Sequence, residues 1–111
     1  MLIEPWSDDV WIGRPADRPN LTDDLDALLD QFVRRRPVPH LVLDLDGVGS
    51  ASTRHLDVVV RLRDHAADAG RRLIVTRPRD TVWGTLLTAE LDRAFEYAED
   101  VAAALADLVA D

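Results

Sequence analysis

Three hydroxyl side chains, Ser50, Ser52 and Thr53, stand together between an apolar run that closes at Leu45 and an amphipathic stretch that opens at about Thr53. The first amides of a helix have no partner inside it and carry the positive end of its dipole. A hydroxyl there suits a phosphate switch, because a phosphate adds about -1.5 to -2 charges and three acceptor oxygens at a point where local amides and an approaching partner both respond. Thr53 is the first candidate acceptor and Ser52 the second. A plainer use competes, since Ser and Thr are preferred N-caps and one of them can do nothing else. Just upstream, Asp44 and Asp46 lie two residues apart at the exit of the apolar run. Paired carboxylates at a strand exit are a residue type that can serve acid/base chemistry. Asp46-Gly47 is equally an ordinary turn pair.

The elements that position these groups follow from periodicity. Leu2 to Ile12 has apolar residues on both sides of Ser7-Asp8-Asp9 and reads as two short strands around a turn. Gly13 to Asn20 is a loop with two prolines, and Asn20 caps a helix in which Leu21, Leu25, Leu28, Leu29 and Phe32 share one side and Asp23, Asp24, Asp26 and Asp30 the other. That helix stops before Pro37. His40 to Leu45 is an apolar run suited to a central parallel strand covered on both faces. A helix over about Thr53 to Ala69 places Leu56, Val59, Val60, Ala66 and Ala67 inward and ends at Gly70. A strand at Arg72 to Thr76 follows. Asp80 is expected to cap a helix with Val82, Leu86 and Leu87 inward, then comes a short strand at Ala94 to Tyr97. Glu99 and Asp100 begin a last helix carrying Val101, Leu105 and Leu108. The order ββαβαβαβα predicts an α/β fold with a mostly parallel sheet and right-handed crossovers.

Bulk properties exclude several classes of function. A chain of 111 residues fits one domain spanning residues 1–111. A net charge of -8 opposes a phosphate backbone, so nucleic acid is not an expected partner. No cysteine is present, and His40, His55 and His65 lack a zinc-like spacing, so neither a disulfide nor a metal is expected. No apolar run reaches the roughly 20 residues of a membrane span, and Met1 to Asp9 lacks a signal-peptide pattern; the expected location is the cytoplasm. All 13 basic residues are arginine, which carries no mechanistic weight.

The element order together with particular residues resembles the STAS domain, the family of anti-sigma factor antagonists and related modules. Asp44-Leu45-Asp46-Gly47-Val48 corresponds to the family's Asp-Leu-Ser-x-Val, and Ser52-Thr53-Arg54-His55-Leu56 to its Asp-Ser-Ser-Gly-Leu, without a gap. Ala69 to Leu73 resembles its glycine-containing turn, Leu91 to Phe95 its Gly-Leu-Asp-Arg-x-Phe segment, and Ala103-Ala104-Leu105 its closing helix. The resemblance implies a single STAS-like domain, a mixed sheet of four or five strands flanked by about four helices. It implies a binding module without catalytic activity or cofactor, with Thr53 as phosphoacceptor. Its partner would be an anti-sigma factor that is also an ATP-binding serine/threonine kinase, or another STAS protein. The implied binding surface comprises Gly49, Ser50, Ser52, Thr53, Arg54, Asp57 and Arg61. The sequence departs from the pattern at Ser52, Arg54 and His55, where the family has Asp, Ser and Gly; Gly13 to Asp17 is the nearest counterpart of the family's Gly-Glu-Leu-Asp segment. A non-phosphorylated scaffold or transport-associated module is the alternative within the same family.

A different reading starts from the same strand, because LVLDLDGV also resembles the first signature of haloacid-dehalogenase-type phosphatases, with Asp44 as nucleophile, Asp46 as acid/base and Thr76 in the second signature. Those enzymes need a cationic residue, usually lysine, and a later acidic pair for Mg²⁺; the sequence has no lysine and no strand-ending acidic pair after Thr76. Remaining features have plain explanations. Arg54 in a first turn is ordinarily solvated, the helix dipole disfavours a cation at His55, and the acidic side of Asp23 to Asp30 reads as a solvated face. Trp6, Trp11 and Trp83 read first as core anchors and second as partner contacts.

Overall fold

In the computed structural model, which describes residues 1–110, the chain forms one five-stranded sheet in the order β1-β2-β3-β4-β5. The strands are β1 (Ile3–Pro5), β2 (Val10–Gly13), β3 (His40–Asp44), β4 (Leu73–Thr76) and β5 (Glu96–Ala98). The helices are α1 (Leu21–Arg34), α2 (Thr53–Asp68), α3 (Asp80–Thr88) and α4 (Val101–Ala110), with a single 3-10 turn at Asp92–Ala94. β1 is antiparallel to β2, and every other pairing is parallel. The mixed, mostly parallel sheet and four helices are those expected from the sequence.

β3 is central because it is apolar on both faces. Leu41 and Leu43 enter the larger core with α1, α2 and α3, while Val42 enters the smaller one with Val10, Ile12, Ile74 and α4 residues Ala104 and Leu108. All three β3 side chains are fully buried, and each such burial stabilises by roughly 1.5–3 kcal/mol. The register is thereby fixed, since a slip of one residue would exchange the two faces. At Gly13 the end of β2 lies against α1: a Cβ there would come 3.0 Å from Leu28 Cδ2.

Several local expectations are corrected. In α2 the buried stripe is Leu56, Val59, Leu62 and Ala66; Val60 is half-buried and Ala67 exposed. The stripe runs through the larger Leu62, leaving Arg63 free to reach the Ala94 carbonyl at 3.0 Å. Asp80 is the first residue of α3 and does not cap it, and Leu87 is exposed. The last strand begins two residues later than expected, because Asp92–Ala94 coils into a 3-10 turn. Asp100 does cap α4, accepting the Ala103 N–H at 2.8 Å. Of the tryptophans only Trp11 is a core anchor, tilted against Phe32 at 6.2 Å between ring centroids. Trp6 is 45% exposed and Trp83 36% exposed.

Trp83 instead makes an edge contact with Tyr97, 5.3 Å between centroids. Burial, and secondarily the charge of Asp92, raise the Tyr97 hydroxyl above its ordinary pKa near 10. The folded form therefore favours the protonated phenol. Its stabilising contribution is present below about pH 10 and is lost as pH rises through the raised folded value. Tyr97 is the only tyrosine, so phenolate absorbance reports it alone. Its titration midpoint is expected above that of the urea-unfolded chain, with Asp92→Asn recovering only part of the difference; equal midpoints would refute the account.

Candidate partner-binding site

The candidate residues lie at the carboxyl ends of the parallel strands, where the β3–α2 loop meets the segments after β2 and β4. The loop is tied down along its length. Asp44 Oδ1 accepts the Asp46 N–H at 3.0 Å, forming the expected turn, and the Val48 N–H bonds the Leu45 carbonyl at 3.0 Å. Leu45 and Val48 point into the larger core, so the loop has apolar anchors as well as polar ones. From the β2–α1 segment, Asp17 Oδ2 accepts the Gly49 N–H at 2.7 Å, and the Asp17 N–H reaches the Gly47 carbonyl at 3.3 Å. From the β4–α3 side, Arg79 Nε donates to the Asp46 carbonyl at 2.8 Å, and the Thr81 hydroxyl donates to the Gly49 carbonyl. A Cβ on Gly47 would stand 3.3 Å from the Ala16 Cβ and 3.4 Å from the Pro15 carbonyl. The close approach of these two segments is why that position favours glycine.

Ser52 and Thr53 differ sharply in what holds them. Ser52 is the N-cap of α2: its Oγ accepts the His55 N–H at 3.3 Å, and His55 Nδ1 accepts the Ser52 N–H at 3.1 Å, a capping box with histidine in the usual Glu/Gln place. With Nδ1 accepting, the hydrogen-bond network assigns the ring proton to Nε2, which lies 3.0 Å from Thr22 Oγ1 on α1. Thr53 is the first helical residue and is exposed, and among the described residues its hydroxyl has no hydrogen-bond partner. Ser50 and Arg54 are exposed as well, and Gly49 is half-buried.

Asp57 and Arg61 continue along the exposed side of α2. With Arg54 they border a hollow of about 430 Å³ opposite Thr22 and Asp26 of α1. The expected binding residues therefore fall into two adjoining groups, one on the loop and one on the α1-facing side of α2. Asp17, Thr22, Arg79 and Thr81 shape the same site and were not marked by the sequence. Their partners lie more than 30 residues away in the chain, so no local pattern announces them.

The two carboxylates of the rival reading are already engaged. Asp44 Oδ2 lies 3.6 Å from Arg14 Nε, whose Nη1 pairs with Glu4 at 2.6 Å. Asp46 stands 3.9 Å from Arg77, which leaves β4 with φ of 56°. Among the described residues no three acidic or histidine side chains converge as a cation site. No helix of the described residues is long and apolar enough to cross a membrane.

No protein-family model matches the sequence, and no curated protein matches it. Solved structures do match. A crystal structure from Thermotoga maritima, described as a candidate anti-sigma factor antagonist, is 19% identical with a TM-score of 0.78, covering 95% of this chain and 91% of that one. The NMR structure of the same protein is 20% identical with a TM-score of 0.81, covering all of this chain and 90% of that one. A variant of RsbS from Moorella thermoacetica is 20% identical with a TM-score of 0.77, covering 96% and 92%. At these identities the likeness is one of architecture, and it extends over the whole domain: the chain has the STAS fold in which a candidate anti-sigma factor antagonist is built.

Proposed function

We propose that the protein is a regulatory binding module of the anti-sigma factor antagonist type, switched by phosphorylation at Thr53. The observation that carries this reading is the contrast at the start of α2, where Ser52 is consumed by capping while the Thr53 hydroxyl is exposed and, among the described residues, unbonded beside a firmly anchored loop. Its partner is an anti-sigma factor with an ATP-binding serine/threonine kinase domain, or a second STAS protein, docking on Gly49, Ser50, Ser52, Thr53, Arg54, Asp57 and Arg61. A phosphate on Thr53 would stand at the first turn of α2, where the positive end of the helix dipole and the amides not taken by the Ser52 cap favour an anion, without refolding of the loop. It would also place about two negative charges in the centre of the contact, obstructing close docking and repelling an acidic partner surface. The protein acts by binding, in the cytoplasm, and requires no cofactor.

Incubation with the cognate kinase and ATP, followed by intact mass, is the direct test. Wild type is expected to gain about 80 Da, one phosphate, and Thr53→Ala to gain none. Full phosphorylation of Thr53→Ala refutes the assignment. Partner binding with no mass change on wild type favours the second reading, a non-phosphorylated scaffold, for which the observation is Arg54: an exposed guanidinium beside the acceptor stands where the family keeps a small residue.

A further inference from the structure

At the other end of the sheet, below the start of β4, a cleft of about 270 Å³ is lined by Arg63, Arg71, Arg72 and Arg93 with a single acid, Glu96, and with Phe95 at its wall. Four guanidinium groups in one hollow are unexpected in a chain of net charge -8. Two of them are held in place. Arg72 forms a fork with Glu96, at 3.0 and 2.5 Å, and also reaches Asp107 at 3.2 Å. Arg63 donates to the Ala94 carbonyl at 3.0 Å, pairs with Asp64 at 2.6 Å and lies 5.8 Å from the Phe95 ring centre. Among the described residues Arg71 reaches only His40 Nε2, at 3.4 Å, and neither Arg71 nor Arg93 has a carboxylate partner.

We propose that this cleft is an anion site for a small phosphate-bearing molecule. Uncompensated guanidinium groups facing one concavity raise the local potential and favour an anion between them. The number of arginines selects among anions. One carboxylate is satisfied by one planar fork, whereas a phosphate or diphosphate presents several oxygens in a tetrahedral array that two or more guanidinium groups can share. Size narrows the class further: 270 Å³ lies at the small end of ligand cavities, suiting a diphosphate or a phosphorylated fragment of a few carbons. Arg63 and Arg72, already oriented by their partners, form the rigid side of the site, and Arg71 and Arg93 supply the unpaired charge. The site is remote from Thr53 and stands whether or not that residue is phosphorylated.

Inorganic pyrophosphate titrated into the full chain by calorimetry at fixed ionic strength tests the proposal. One molecule is expected to bind, about tenfold more weakly to Arg71→Gln and to Arg93→Gln, and unchanged to Arg18→Gln, an exposed arginine on the segment after β2 at the opposite end. Malonate, with two carboxylates, is expected to bind at least about tenfold more weakly than pyrophosphate. Arg93 is exposed, so its substitution tests the site without disturbing the core; unaltered thermal unfolding confirms this. No saturable pyrophosphate binding to wild type overturns the proposal. So does equal weakening by Arg18→Gln, which would mark diffuse attraction, or malonate binding as well as pyrophosphate.

Discussion

Phe32→Ala is expected to remove about 3–5 kcal/mol of stability, the usual cost of truncating a buried phenylalanine. Phe32 is fully buried on the last turn of α1, where its ring meets Trp11 at 6.2 Å and the edge of His65 at 5.5 Å. It is thus the point at which α1, β2 and α2 are packed together. Truncation leaves a cavity lined by two aromatic rings on different elements, and neither can move in without dragging its own backbone. Total stability of a domain this size is about 5–15 kcal/mol, so the variant should lie close to its unfolding threshold. Thermal unfolding is the measurement, and the expected fall in Tm is on the order of 12–20 °C. Phe32→Leu keeps most of the volume and should cost less than half as much. Equal losses for the two variants would mean that something other than the cavity sets the cost.

The same packing shows why some elements were legible in the sequence and others were not. α1 announces itself because Leu21, Leu25, Leu28 and Phe32 follow one stripe and Asn20 caps it through the Asp23 N–H at 3.2 Å. β3 is equally plain, since an apolar run that short has to be covered on both faces. In α2 the sequence offers competing apolar positions, Val60 and Ala67 against Leu62, and only the tertiary partner decides between them. The larger side chain is taken inward and the stripe rotates accordingly. Trp6 and Trp83 mislead for a related reason, because an aromatic is interior only if some element passes over it. Trp83 meets the Tyr97 ring and remains 36% exposed.

The candidate site was legible in its location but not in its construction. Strand-loop-helix order and the cluster of hydroxyls placed the loop at the start of α2. The groups that fix it in space come from elsewhere: Asp17 after β2, and Arg79 and Thr81 around the start of α3. Parallel strands bring their carboxyl ends to one edge of the sheet, so such long-range contacts are a consequence of topology and have no spacing signature. His55 is the clearest case. Its sequence position suggested only a ring near a helix dipole, whereas it completes the capping box and reaches across to Thr22 on α1.

That cap separates the roles of the two adjacent hydroxyls. Ser52→Ala removes the Oγ that accepts the His55 N–H, leaving a first-turn amide of α2 without its side-chain partner. The expected cost is about 0.5–2 kcal/mol, seen as a fall of several degrees in Tm. The loop should stay near its present position, because the Asp17, Arg79 and Thr81 contacts and the buried Leu45 and Val48 do not depend on Ser52. Phosphate incorporation at Thr53 should therefore survive. Thr53→Ala is expected to do the reverse: its hydroxyl bonds nothing among the described residues, so stability should change by less than about 0.5 kcal/mol while incorporation is lost. Thermal unfolding and intact mass measured on the same two variants form a crossed test. If Ser52→Ala abolished incorporation and left Tm unchanged, the assignments would be exchanged, with Ser52 the acceptor. If both variants lost stability together, Thr53 would be a structural residue of the helix start. Only the crossed result, one variant less stable but modified and the other stable but unmodified, fits an N-cap and a phosphoacceptor side by side.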